Sequence, residues 1–186
     1  MSVNSALARI FGSDSDAVWL AELGAQLPAT LAASPGAAYE DIGWLNTDTG
    51  VTETLLGSVT DIRGHQGAGV VRTRIETPGT QFQFVALEQK RMTDELRYDV
   101  KSSSTTGGVR TSVRGSGQKV RPRTAVIDLY DIDDENVQVR LCIPRLEIVP
   151  NGDRTFINSD IAGYPMLGTV IGDITVIETD LENPDD

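Results

Sequence analysis

The sequence holds one histidine and one cysteine, the types most often recruited as general base and as thiol nucleophile. His65, in Gly64-His65-Gln66-Gly67, is the single histidine, so a Ser-His-Asp triad would have to use it. Its glycine-rich surroundings read more simply as a turn or strand end. Cys142 is the single cysteine. A nucleophilic thiol sits beside a base or a cation, whereas Cys142 lies on a strand pattern where a small side chain fits. One His and one Cys exclude the usual multi-ligand zinc sites, and one Cys excludes an intrachain disulfide. Asp131, Asp133, Asp134 and Glu135 offer carboxylates to a cation. An EF-hand loop counted from Asp131 requires Gly at its sixth position and Glu at its twelfth, where Asn136 and Cys142 stand. A solvated turn is the expectation there, with a looser calcium site as the alternative. The nucleophile-elbow, phosphate-loop and dinucleotide fingerprints are absent. The sequence points to no catalytic residue and no cofactor.

Charge narrows the partners. The chain has 186 residues, with 16 Lys and Arg against 27 Asp and Glu, a net −11. Such a balance argues against general DNA or RNA binding and against a polybasic membrane anchor. The distribution is uneven. Residues 101–124 hold Lys101, Arg110, Arg114, Lys119, Arg121 and Arg123 with no acid, a local +6. Ten basic and 27 acidic residues remain elsewhere, a net −17. So long a polar stretch in a small protein is usually functional or unstructured. Read functionally, it is a basic arm that docks on an acidic surface such as another copy of this chain.

Length and pattern give the scaffold. One domain fits 186 residues, and 39% hydrophobic residues suffice for one core. No apolar run approaches the ~18 residues of a membrane span, and the start lacks a signal-peptide pattern. Residues 1–50 read as an irregular N-terminal arm; it contains both tryptophans, Trp19 and Trp44, as candidate anchors to a neighbouring subunit. From Val51 the period becomes two. Val71, Thr73 and Ile75 alternate with charges, Thr77-Pro78-Gly79-Thr80 signals a turn, and Phe82 and Phe84 share a face. The spacing predicts a hairpin over 71–84. Residues 87–98 read as one helix, with Glu88, Met92 and Leu96 on one face and Lys90–Asp94 and Arg91–Glu95 as ion pairs. Within 101–124, alternation at Val109, Thr111 and Val113 suggests part of a hairpin. Strands are expected over 125–130 and 137–143, with a bulge or edge at Pro144, a tight turn at Pro150-Asn151-Gly152-Asp153, and a final strand over 169–179. Residues 180–186 read as an acidic tail, which leaves 51–179 as the β domain.

The order of phrases resembles a known family. Ala21 to Pro28, followed by Gly43-Trp44-Leu45-Asn46-Thr47-Asp48-Thr49-Gly50-Val51, is similar to the opening of the major tail proteins of long-tailed bacteriophages, especially those of actinobacterial hosts. The family's next phrases correspond to Gln66-Gly67-Ala68-Gly69-Val70-Val71-Arg72, to Glu88 through Leu96 and Tyr98, and to Arg140-Leu141-Cys142-Ile143-Pro144-Arg145-Leu146-Glu147. The likeness covers roughly 17–100, with a weaker echo over 125–179. Departures occur at Glu22 or Leu23, where the family has its first proline, at Asn46 to Gly50, and at Tyr98-Asp99.

The resemblance implies a mainly β fold, a β-sandwich or partial barrel with one flanking helix. It implies a tail tube subunit forming hexameric rings that stack around the tape measure protein, with tail terminator and distal tail proteins as further partners. DNA would leave through the lumen without specific binding. Such a subunit assembles in the host cytoplasm, resides in the virion tail, and is no enzyme. The candidate subunit interface then comprises Trp19, Leu27, Pro28, Trp44, Arg110, Arg114, Lys119, Arg121 and Arg123. A β-sandwich module binding a receptor or carbohydrate, a small carboxylate or metal hydrolase, and a related contractile or secretion tube are the rival readings. Reversing Arg110 and Arg114 to Glu is expected to shorten or abolish tubes while leaving the fold intact, with normal tubes as the contrary result.

Overall fold

The structure, a computed structural model, describes residues 4, 7–65 and 67–182. Ten strands and one helix follow in the order β1 (Ala17–Glu22), β2 (Glu40–Asp41), β3 (Val51–Arg63), β4 (Val70–Ala86), α1 (Arg91–Arg97), β5 (Val100–Thr106), β6 (Val109–Arg114), β7 (Arg121–Tyr130), β8 (Gln138–Pro150), β9 (Tyr164–Val170) and β10 (Thr175–Glu178). Eight strands form one antiparallel sheet in the order β2-β1-β7-β8-β9-β4-β3, with β10 added to β8; β5 and β6 pair only with each other. The large sheet bends over itself around one core. Val18 and Leu20 of β1, Phe82 and Phe84 of β4, Ala125 and Ile127 of β7 and Tyr164 and Met166 of β9 meet there. Met92 and Leu96 of α1 cover one side. The fold is thus the expected mainly β sandwich with one helix, and β2 and β3 remain edges, so no barrel closes.

Bulges keep this core in register. A strand's side chains alternate, so Ile143 and Leu146 would face opposite sides of a regular strand. Both are fully buried. The pairing shifts between Arg123↔Leu146 and Ala125↔Ile143, which puts an extra residue at Pro144-Arg145 and restores the apolar side to the core. Buried Thr124 fixes the bulge: its hydroxyl donates to the Pro144 carbonyl (3.1 Å) and accepts from the Gly24 N–H (2.9 Å).

The second bulge overturns the expected 71–84 hairpin. Residues 70–86 are one continuous strand, and Thr77-Pro78 is a bulge opposite Gly57, with Thr77 at φ 50°. Proline has no N–H to give, and a bulge frees it from giving one. The true hairpin joins β3 to β4 through residues 64–69, and His65 lies in that turn. Two other boundaries and one ion pair differ. The helix starts at Arg91, because Lys90 is extended and its N–H is taken by the Thr93 hydroxyl (3.0 Å). Asp94 does not pair with Lys90, which contacts Glu88 at 3.1 Å. Residues 169–179 divide into the end of β9 and β10, separated by a turn with Gly172 at φ 93°.

Residues 17–22, read as irregular, form β1. Val18, Leu20 and Ala21 are all buried, so both faces of the strand are covered and no alternation shows. Trp19 packs on the outer side of β1 and β7 with Leu27, Ala25, Tyr39 and Val126. The bidentate Arg140–Asp128 pair (2.6 and 3.0 Å) ties the following loop down, since the same guanidinium donates to the Thr30 and Ala33 carbonyls. Of the tail expected at 180–186, residues 183–186 lie outside the described residues.

Two tests follow from this packing. Phe84→Ala, at 0% exposure, should cost about 3–5 kcal/mol in urea denaturation. At Gly168 a Cβ would lie 2.7 Å from the Leu146 side chain, so Gly168→Ala should lower the melting temperature even though it shortens no apolar side chain.

Candidate assembly surfaces

Three features exceed what the core needs. The first is the β3–β4 hairpin. Phe82 and Phe84 root it in the core, yet every residue of 52–63 and 70–78 is exposed. At ~3.3 Å per residue, β3 is roughly 40 Å long. Val51, Glu53, Leu55, Gly57 and Val59 alternate onto the face that is core-facing at the root, and cross-strand pairing adds Ile75 opposite Val59. Thr73, whose hydroxyl donates to Asp61 (3.1 Å), places Val71 on that face too. Leu55, Val59, Val71 and Ile75 are 63–77% exposed. The apolar face of the core therefore continues into solvent along the hairpin. The outer edge of β3 is also unpaired. Two-stranded ribbons with neither face covered are marginal in water, and an open edge is a template for another strand.

The second feature is the basic stretch 101–124. It is ordered: β5 and β6 form a hairpin over α1, and 121–124 belong to β7. The side chains of β6 divide sharply. Arg110 and Arg114 point to the body and Val109 and Val113 point outward. Arg110 and Arg114 both bind the carboxylate of Asp94, which is 4% exposed and also accepts from the Tyr164 hydroxyl (3.0 Å). Arg114 stacks 3.8 Å from the Tyr98 ring. Lys101 (2.5 Å) and Lys119 (2.7 Å) contact Asp99, with Arg121 at 3.9 Å. Arg121 also donates to the Glu95 carbonyl, and Arg123 meets Glu22 at 3.2 Å. The hydrogen bonds and charges of Lys101 and Lys119 outweigh burial and hold Asp99 down at a pKa of about 2. Burial, and then the charge of Asp94, push Tyr164 up to about 12.

The cations of 101–124 thus meet carboxylates and carbonyls of their own chain. Sequence showed the charge excess but not its receivers, because helical spacing assigns Asp94 to Lys90 and nothing local links Asp99 to Lys101 or Lys119. The consequence for charge reversal is direct: Glu at 110 and 114 would face buried Asp94, so the fold would not stay untouched.

The third feature is a groove of about 380 Å³ beside the hairpin root, lined by Asp14, Asp16, Asp41, Glu88 and Trp44 among others. Trp44 is 70% exposed. Of the other candidate interface residues, Trp19 and Leu27 pack on their own chain, and the Pro28 carbonyl accepts from the buried Cys142 thiol (3.7 Å). Burial raises the pKa of that thiol. Asp131 is buried and spent on its own turn, one oxygen accepting from the Asp133 and Asp134 N–H groups (2.9 and 3.0 Å). The other oxygen accepts from the Ile10 N–H (3.2 Å).

The apolar face of the first hairpin and the open edge of β3 are surfaces that the described residues of the single chain leave unfilled. Comparison with known families agrees: the sequence matches the family described as phage tail tube protein over residues 9–179. The chain belongs to that family. No curated protein matches the sequence significantly. The match spans both β1 and β10, so the tail tube protein's whole sheet lies within the family region. Its role is structural, in the phage tail.

Two predictions concern the latch. Asp94→Ala should cost on the order of 3 kcal/mol, because it leaves two guanidiniums without their buried partner. It should also open 101–123 to trypsin, with cleavage mapped by mass spectrometry. Asp99 is lowered in the folded state, so its stabilisation is complete above the ordinary value of 3.8 and is lost as pH falls through about 2. Between pH 4 and 2 the native protein should therefore lose stability faster than an Asp99→Asn variant does.

Proposed function

We propose that the protein is the major tail tube subunit of a long-tailed phage. Subunits associate into hexameric rings, and the rings stack into a hollow tube around a tape measure protein. Terminator and distal tail proteins close its ends. The tube-forming unit is 51–179 together with strand β1. Rings assemble in the host cytoplasm, and DNA later passes through the lumen during ejection.

The observation that carries this reading is the exposed apolar face of the β3–β4 hairpin. Covering a side chain of this size is worth roughly 1.5–3 kcal/mol, so a neighbour that covers four of them gains enough to drive association. A face and an edge that differ from the surfaces they pack against make a heterologous contact, and such contacts close into rings or continue as filaments. Net charge suits the lumen: at −11 the wall gives phosphates no general foothold. Trp44, exposed beside the hairpin root, is the candidate anchor most available to a neighbour.

Negative-stain electron microscopy of the purified protein over a concentration series tests the proposal. Six-fold rings or hollow tubes are the expected result. Val59→Ser/Ile75→Ser should abolish them while leaving circular dichroism and melting unchanged, because both positions are solvent-exposed in the single subunit and the change adds no charge. Monomeric particles at every concentration, in the presence of a tail-tip extract as initiator, would contradict the assignment.

A further inference from the structure

The charge pairing within the chain leaves a residue. Among the described residues, the side chains of Lys and Arg find a carboxylate or carbonyl partner within the chain at every position but two. The two are Arg72 and Arg74. They sit two residues apart on β4, opposite Ile62 and Thr60, on the face of the hairpin turned away from Val59 and Ile75. Both are exposed. In a protein of net −11, two adjacent cations without an internal acceptor are available to an acceptor on another molecule.

The same chain offers one. The groove beside the hairpin root brings Asp14, Asp16, Asp41 and Glu88 around Trp44: Glu88 already meets Lys90 and the Trp44 backbone N–H, Asp16 and Asp41 each accept one backbone N–H and keep a second oxygen, and Asp14 has no partner among the described residues. Asp14 is exposed. The indole of Trp44 stands free at the rim, and indole is the best aromatic face for a guanidinium. This protein already stacks Arg114 on Tyr98 and Arg154 on Tyr164, at 3.8 and 3.9 Å. One copy cannot satisfy itself. Gly50 lines the groove, whereas Arg74 pairs with Thr60, ten residues farther along β3, a span of roughly 33 Å.

We propose that the Arg72–Arg74 face of one copy docks in the Trp44 groove of a second copy, the guanidiniums meeting its acids and indole. Donor and acceptor lie at opposite ends of one hairpin, so each copy gives one contact and receives another, and the contact propagates. The inference rests on the tube reading and assigns one of its contacts. It also predicts that assembly weakens with salt, since the charged partners are exposed in the free subunit.

A charge swap tests it, with the concentration for half-maximal assembly read by light scattering and sedimentation. Arg72→Glu/Arg74→Glu should raise that concentration at least tenfold without altering the melting temperature. Trp44→Ala should raise it several-fold. Thr47 also lines the groove, and adding Asp14→Arg/Thr47→Arg to the double variant should restore it to within about threefold of wild type. Wild-type assembly by the Arg72→Glu/Arg74→Glu protein would overturn the inference and leave the tube reading standing. Failure of the added arginines to restore any assembly would overturn the groove as the acceptor. If the unaltered protein never associates, the tube reading fails first and this contact with it.

Discussion

The structure turns on one mismatch of length. The sandwich core needs β3 and β4 only from the root to about Thr54 and Gln81, yet the strands continue for a further nine and eleven residues as a ribbon. Nothing among the described residues covers that ribbon, and its apolar face is an extension of the core's own. A hairpin of this kind has no reason to persist in a protein that works alone, because its apolar side chains would gain nothing and invite aggregation. In a subunit whose neighbour supplies the missing layer it becomes the means of assembly. The phage tail tube family gives that neighbour a natural identity, another copy of the same chain.

The remaining architecture protects this arrangement. A second hairpin, β5–β6, is bound to the body by charge, with its arginines turned in to Asp94 and its valines turned out. Usual surface hairpins face their charges to water. Here the inversion spends Arg110 and Arg114 on the body, so they form no general anion-binding patch. The two cations left over, Arg72 and Arg74, are confined to the ribbon.

What sequence could reveal followed from how local each signal was. Alternation at Val137, Val139, Leu141 and Ile143 marked a strand because its two faces see different surroundings, and Pro144 marked its bulge because proline cannot donate. Asp131 and Asn136 bounded a turn through local hydrogen bonds. β1 was hidden because its two faces are both covered, which removes the alternation. Thr77-Pro78-Gly79-Thr80 misled for the opposite reason: turn chemistry and bulge chemistry both need a positive φ and a missing donor, and only the long-range pairing with β3 decides between them. Of the candidate interface residues, Trp44 is exposed, whereas the cations of the basic stretch are spent internally. The significance of Arg72 and Arg74 lay in what fails to pair with them, which sequence does not display.

The central claim is that a neighbouring copy completes the β3–β4 ribbon. Hydrogen–deuterium exchange, read by mass spectrometry on free and assembled protein, examines it residue by residue. The account predicts fast exchange over 52–63 in the free subunit, where the outer edge of β3 is open, and at least a hundredfold slowing there on assembly, with the amides of β7 and β8 slow in both. Assembled particles in which 52–63 exchanges as fast as in the free subunit would contradict it.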